Sequence, residues 1–268
     1  MRRSVRRPRL EFESITYEKK EGVAWITINR PQAYNAFTTN TMKEMAHAFD
    51  DAELDASVGV VVLTGAGDKA FCAGGDLKEA AQRGGYSKEM DYWHTKVHTA
   101  IRSIPKPVIA AVNGYAIGGG NILALLCDLT IASENAMFGQ AGPRVGSFDA
   151  GFGVSYLTRV VGEKKAKEIW YLCRQYTAKE ALEMGLVNKV VPLDKLKEEV
   201  NNWCQEILSL SPTALKFCKL AFNAETAHQY GFEAWSEAAV RLFWGSKEAE
   251  EAKKAFAEKR KADFSKFR

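Results

Sequence analysis

The chain has 268 residues, 46% of them apolar and 26% charged, with 37 basic against 33 acidic side chains. These proportions suit one large globular domain or two small ones, and they exclude disorder, a collagen-like fibre and a coiled coil as descriptions of the whole. The net charge of +4 comes from the first nine residues, where Arg2, Arg3, Arg6, Arg7 and Arg9 stand without an acid. It therefore says little about partners of the folded body.

Residues 1–10 read as a disordered basic tail. Leu10-Glu11-Phe12-Glu13 follows it where a secretory signal would need an apolar run, so a cytoplasmic location is expected. Ile15 to Asn29 reads as two strands joined at Glu21-Gly22, and Arg30-Pro31 ends the second, because proline cannot donate to a ladder. Thr39 to Leu54 carries Met42, Met45, Ala46 and Phe49 at helical spacing. Val58 to Thr64 is a continuous apolar run, the mark of a strand buried on both faces. Phe71-Cys72 is a short strand running into the glycine turn Ala73-Gly74-Gly75-Asp76. Residues 77–105 read as helix interrupted at Gly84-Gly85, and Val108 to Val112 as another buried strand. Gly118-Gly119-Gly120 then opens an apolar helix from Asn121 to Leu126, and Leu129 to Ala132 is a strand. Pro107 to Ala132 is apolar enough to suggest a membrane span, but its glycines would break one, so no membrane association is expected.

Helices are expected over Glu163 to Cys173 and Ala178 to Met184, with a strand ending at Val191-Pro192. From Leu196 to Lys261 the pattern is helical almost throughout. The expectation is an α/β core over 11–195 followed by a helical C-terminal region over 196–268. Cys72, Cys127, Cys173, Cys204 and Cys218 have neither CxxC spacing nor nearby histidines, so they read as reduced core residues and no metal site is expected.

The two glycine turns carry the functional signal. Each follows a buried strand and precedes a helix, where glycine lets a ligand approach the backbone and free N–H groups favour negative charge. Two such N–H groups converging on one oxygen make an oxyanion hole. Two tight turns with no ligand fit the residues equally well. Neither turn fits the dinucleotide fingerprint or the Walker pattern.

The blocks ITINRPQAYNAF, KAFCAGGDLKE, KPVIAAVNGYAIGGGNILALLCDLTIA and FGQAGPRVGSFDAGFG resemble those of the enoyl-CoA hydratase/isomerase (crotonase) superfamily, in order and from about residue 12 to 268. The resemblance implies a spiral of β-β-α units with a helical trimerisation region. It also implies a homo-oligomer (a trimer or a dimer of trimers), an acyl-CoA substrate and no cofactor beyond its coenzyme A. It places the thioester oxygen between the N–H groups of Gly75 and Gly119.

The family's two hydratase glutamates would fall at Ile122 and Gly142, which argues against enoyl-CoA hydration by that pair. Gly146-Ser147-Phe148-Asp149 instead resembles the loop of two branches that make or break carbon–carbon bonds. One is 1,4-dihydroxy-2-naphthoyl-CoA synthase; the other is 2-ketocyclohexanecarboxyl-CoA hydrolase, which opens a β-keto ring with water. By this resemblance Asp149, Ser147 and Tyr86 are the catalytic candidates. Ala73, Asp76, Leu77, Tyr115, Gly118, Gln140, Gly142, Trp244 and Lys259 would contact CoA or substrate. In the bicarbonate-using synthases Gln and Thr precede the glycine, whereas here the order is Gln140-Ala141-Gly142, with Trp170 retained. Asn121 stands where the synthases usually have His, and Trp244 replaces a tyrosine contributed across a subunit interface. The reading favours ring opening, with the synthase as the alternative. A reading of another class is an RNA-binding homologue using the arginine tail. A short tail without interleaved aromatics makes only a weak, salt-sensitive site, so nucleic acid is not the expected partner.

Overall fold

The computed structural model describes residues 11–83, 85, 87–148 and 152–268. The arginine tail, Tyr86 and Asp149 thus lie outside the described residues. Strands β1 (Ile15–Lys20) and β2 (Val23–Ile28) form the expected antiparallel hairpin, with Ile15 opposite Ile28. Helix α1 (Thr39–Leu54) opens on a capping box in which the Thr38 hydroxyl accepts from the Thr41 amide and the Thr41 hydroxyl from the Thr38 amide. That satisfies amides which a helix start otherwise leaves unpaired.

Three similar turns of chain follow. The first is β3 (Val60–Gly65), β4 (Ala70–Cys72), α2 (Leu77–Gln82) and α3 (Lys88–Ser103). The second is β5 (Val108–Val112), β6 (Tyr115–Ile117) and α4 (Gly119–Leu126). The third is β7 (Leu129–Ser133), β8 (Met137–Gly139) and α5 (Gly142–Val145). In each, the first strand joins a six-stranded sheet of order β1-β2-β3-β5-β7-β10, where β10 is Lys189–Val191. The second joins a four-stranded sheet of order β4-β6-β8-β9, where β9 is Gln175–Thr177. This is the expected β-β-α spiral. Then come α6 (Ser155–Val161), α7 (Glu163–Leu172), β9 (Gln175–Thr177), α8 (Ala178–Glu183) and β10 (Lys189–Val191). The chain ends with α9 (Leu196–Leu208), α10 (Pro212–Glu225), α11 (Tyr230–Trp244) and α12 (Lys247–Ala257).

The apolar runs of β3 and β5 are explained by burial on both faces. Val61, Leu63, Val108, Ala110 and Val112 enter the larger core with residues of α1, α3 and α4. Val60, Val62, Ile109 and Ala111 enter a second core closed by Leu196, Val200 and Cys204 of α9. The strands β6, β8 and β9, three residues each, are absent from the sequence reading. The first buried strand begins at Val60 rather than Val58. The cysteines are free, and four are buried as expected, but Cys218 stands exposed on α10. Among the described residues no helix is long and apolar enough to cross a membrane.

Candidate active site

The two glycine turns meet. β4 ends at Cys72, and the chain passes through Gly74 with φ +91° to Asp76, which caps α2 by accepting from the Lys78 and Glu79 amides. β6 ends at Ile117, and Gly118 (φ +57°, ψ −123°) turns the chain into α4, a conformation essentially restricted to glycine. A Cβ on Gly74 would lie 3.1 Å from the Gly119 nitrogen, and one on Gly119 would lie 2.8 Å from the Phe37 ring. The turns therefore touch with no room for side chains between them. Among the described residues no acceptor takes the N–H of Gly75 or Gly119. Both glycines line one cavity of about 310 Å³. Two unspent N–H groups on one cavity, one of them at a helix start, are what an oxyanion hole requires.

Asp76 does not line that cavity. Its carboxylate pairs with Arg30 at 2.8 Å. Burial would raise its pKa, but Arg30 and the two capped amides outweigh burial and hold it below the usual carboxylate range. Asp76 is thus a structural brace of the turn.

Of the sequence candidates, Ala73, Leu77, Gly118, Gln140, Gly142 and Ser147 line the cavity. The Gln140 side chain is buried with both polar atoms unpartnered among the described residues, so a polar group of a ligand is the natural partner. Ile122 and Gly142 line it too, without a carboxylate. A Cβ on Gly142 would stand 3.0 Å from the Phe148 Cα, because the 147–148 loop folds tightly over it. That fold, fixed by the Ser147 amide donating to the Gly142 carbonyl at 2.9 Å, brings Ser147 to the wall. Trp170 lines the cavity, but its indole N–H donates to the Gly153 carbonyl at 2.9 Å.

Besides Asp76, three expected contacts sit elsewhere. Tyr115 is exposed at the far end of β6, edge-on to Tyr34. Lys259 is exposed just beyond α12. Trp244 is buried outside the cavity wall, against Gly85, with the Lys253 ammonium 4.5 Å from its ring. The C-terminal helices reach the cavity instead through Glu237, Val240 and Phe256.

The structure also brings in a pair that sequence reasoning missed. His94 and His98 lie one turn apart on α3 and face Glu237 and Glu233 of α11. His94 Nδ1 is 2.8 Å from a Glu237 carboxylate oxygen, and His98 Nδ1 is 3.0 Å from one of Glu233. All four side chains are buried, and His94 and Glu237 line the cavity. Burial disfavours the His94 imidazolium, but Glu237, with Glu233 and Asp91, outweighs it and raises its pKa. His98 is pushed down by burial and by His94. Asp91, one turn before His94, is pushed up to about 6 by burial and by Glu237, against the pull of Arg241. His94, His98 and Glu233 each bring one donor atom within 4.8 Å of the others, a set able to hold a metal ion that the sequence reading did not foresee. The signal was the spacing: HxxxH in one amphipathic segment and ExxxE in another.

Residues 18–267 match the model of the enoyl-CoA hydratase/isomerase family. A carnitinyl-CoA hydratase from Mycobacterium avium is similar at 36% identity and a TM-score of 0.84, covering 93% of this chain and 97% of that one. An enoyl-CoA hydratase/isomerase from Xanthobacter autotrophicus Py2 has 36% identity and a TM-score of 0.81, over 92% and 93%. An enoyl-CoA hydratase from Mycobacterium avium subsp. paratuberculosis K-10 has 30% identity and a TM-score of 0.84, over 95% and 99%.

Proposed function

Because this chain belongs to the enoyl-CoA hydratase/isomerase family, we propose that it is an acyl-CoA enzyme that opens an alicyclic β-ketoacyl-CoA ring with water. The product is a dicarboxylic acid held as its CoA thioester, as the breakdown of aromatic and alicyclic acids requires. The observation that carries this reading is the 142–148 loop. It leaves no room for a side chain at Gly142 and sets Ser147 on the wall of the cavity that holds the unspent glycine amides.

The reaction is a retro-Dieckmann hydrolysis. Asp149, positioned by Ser147, activates water against the ring ketone, and Tyr86 orients that ketone. Collapse of the tetrahedral adduct breaks the bond to the α-carbon and leaves a thioester enolate, whose oxygen the Gly75 and Gly119 amides stabilise. One such donor is worth on the order of 3–4 kcal/mol of barrier. The mechanism draws on no cofactor beyond the coenzyme A of the substrate, whose phosphates would run outward past Tyr115 and Lys259.

Two features favour ring opening over the naphthoyl synthase. Ala141 has no hydroxyl for a bicarbonate base, and the Trp170 N–H is already spent on Gly153. We also propose a homo-oligomer. Phe217 and Phe222 on α10 and Trp235 and Leu242 on α11 are all more than half exposed, an apolar face that a partner copy would cover.

The test is a mass-spectrometric assay with 2-ketocyclohexanecarboxyl-CoA, and separately with o-succinylbenzoyl-CoA with and without bicarbonate. A gain of one water on the first, lost in Asp149→Asn, supports the reading. Loss of water from the second would replace it with the synthase.

A further inference from the structure

The mechanism above leaves the enolate without a named proton donor. Of the described residues lining the cavity, only His94 and Glu237 titrate near neutrality in ordinary proteins or carry a carboxylate; the remaining wall is apolar, amide, hydroxyl, indole or guanidinium. The His94 ring lies 5.6 Å from the Phe37 ring, and Phe37 is the ring against which a Cβ on Gly119 would collide. The imidazole thus stands one aromatic ring away from the oxyanion turn. Its Nδ1 is fixed on Glu237, and its Nε2 has no partner among the described residues. His98 Nε2, by contrast, is sealed from solvent as well as unpartnered.

We propose that His94, oriented by Glu237, is the acid that protonates the α-carbon of the thioester enolate. This rests on the enolate chemistry proposed above and names its missing group. Glu237 is a positioning residue. The step balances. The carbon–carbon bond breaks as the adduct collapses, and its electron pair enters the enolate. The enolate then takes the proton of His94 Nε2, forming the new C–H bond. Neutral His94 keeps its Nδ1 proton on Glu237 and is reprotonated from solvent, while the proton that Asp149 took from water and the one that the new carboxylic acid loses both go to solvent, a net release of one. The ring is held by its surroundings: Glu237 on its own Nδ1, with Glu233 on His98 and Arg241 on Asp91 beside it.

The test separates this step from ring opening. Cyclohexanecarboxyl-CoA has an α-hydrogen but no ring ketone, so its exchange in deuterium oxide needs only the enolate site and its acid–base group. The full-length protein is expected to exchange it, and His94→Gln to lose at least 100-fold while binding the thioester with unchanged affinity. Glu237→Gln is expected to retain exchange at a reduced rate, with its pH midpoint moved down. Wild-type exchange rates in a His94→Gln protein that still binds would overturn the proposal. So would an absence of exchange by the wild type, or a divalent ion held on His94 and His98 in the protein as isolated. Exchange that depends on His94 without ring opening of the keto substrate would leave this inference standing and remove the ring-opening reading.

Discussion

Gly120→Ala is the sharpest probe of how the oxyanion turn is built. A Cβ at Gly120 would stand 1.9 Å from the Cys72 carbonyl oxygen and 2.6 Å from its carbon, where ordinary contact begins at 3.4 Å. Backbone is rigid on both sides, so α4 must withdraw from the end of β4 by roughly 1.5 Å, the shortfall from van der Waals contact. The Gly119 amide leads α4, and the Gly75 turn leaves β4. Such a shift takes an N–H···O contact of about 2.9 Å out of hydrogen-bond range. Losing one oxyanion donor then costs about 3–4 kcal/mol of barrier, a fall in kcat of roughly 150- to 900-fold. Overpacking adds a stability loss of about 1–3 kcal/mol. The measurement is kcat for the proposed ring opening beside thermal unfolding and CoA-thioester affinity. Gly231→Ala, where the added carbon meets nothing within 4 Å, serves as the silent control. A folded Gly120→Ala protein with kcat within threefold of wild type would refute the coupling of the two turns.

Other expectations concern the frame. Asn35 is fully buried and ties the loop after β2 to β4, donating to the Ala66 and Ala70 carbonyls and accepting from the Arg30 amide. Asn35→Ala strands those groups and should cost about 3 kcal/mol in urea unfolding. The buried Lys219 ammonium donates to the Ile101 and Lys106 carbonyls and pairs with Asp128 at 2.7 Å, so Lys219→Met should destabilise by about 3 kcal/mol. Asp76 has a folded pKa below its unfolded one, so its contribution is present at neutral pH and lost as pH falls below the ordinary value of 3.8. Asp76→Asn, which keeps the cap, should therefore lower stability at pH 7, with the difference fading in acid. Trp235→Glu combined with Phe222→Glu should reduce the molar mass seen in sedimentation if their exposed face is an interface between copies.

The sequence made legible what is carried by long or repeated patterns. Val108 to Val112 was bounded correctly because two-sided burial leaves an unbroken apolar run. Thr39 to Leu54 was bounded correctly because its apolar spacing and its cap agree. The glycine turns were legible because no other residue tolerates Gly118's backbone or the approach of Gly74 to Gly119. The His94–Glu237 contact was not, since its partners are 143 residues apart and each reads locally as one polar residue on an amphipathic helix. Trp244 misled for a related reason. A late tryptophan is equally suited to a ligand wall and to packing, and here it covers Gly85.

The cavity wall runs from Phe37 to Phe256, but its parts have different origins along the chain. The glycines assigned to the thioester oxygen leave β4 and enter α4, inside the spiral. Glu237, Val240 and Phe256, which shape the space beyond, come from α11 and α12. Inheritance can therefore treat them separately. A lineage that rewrites Val240 and Phe256 while keeping Glu237 changes which acyl group fits and leaves both glycine turns as they were.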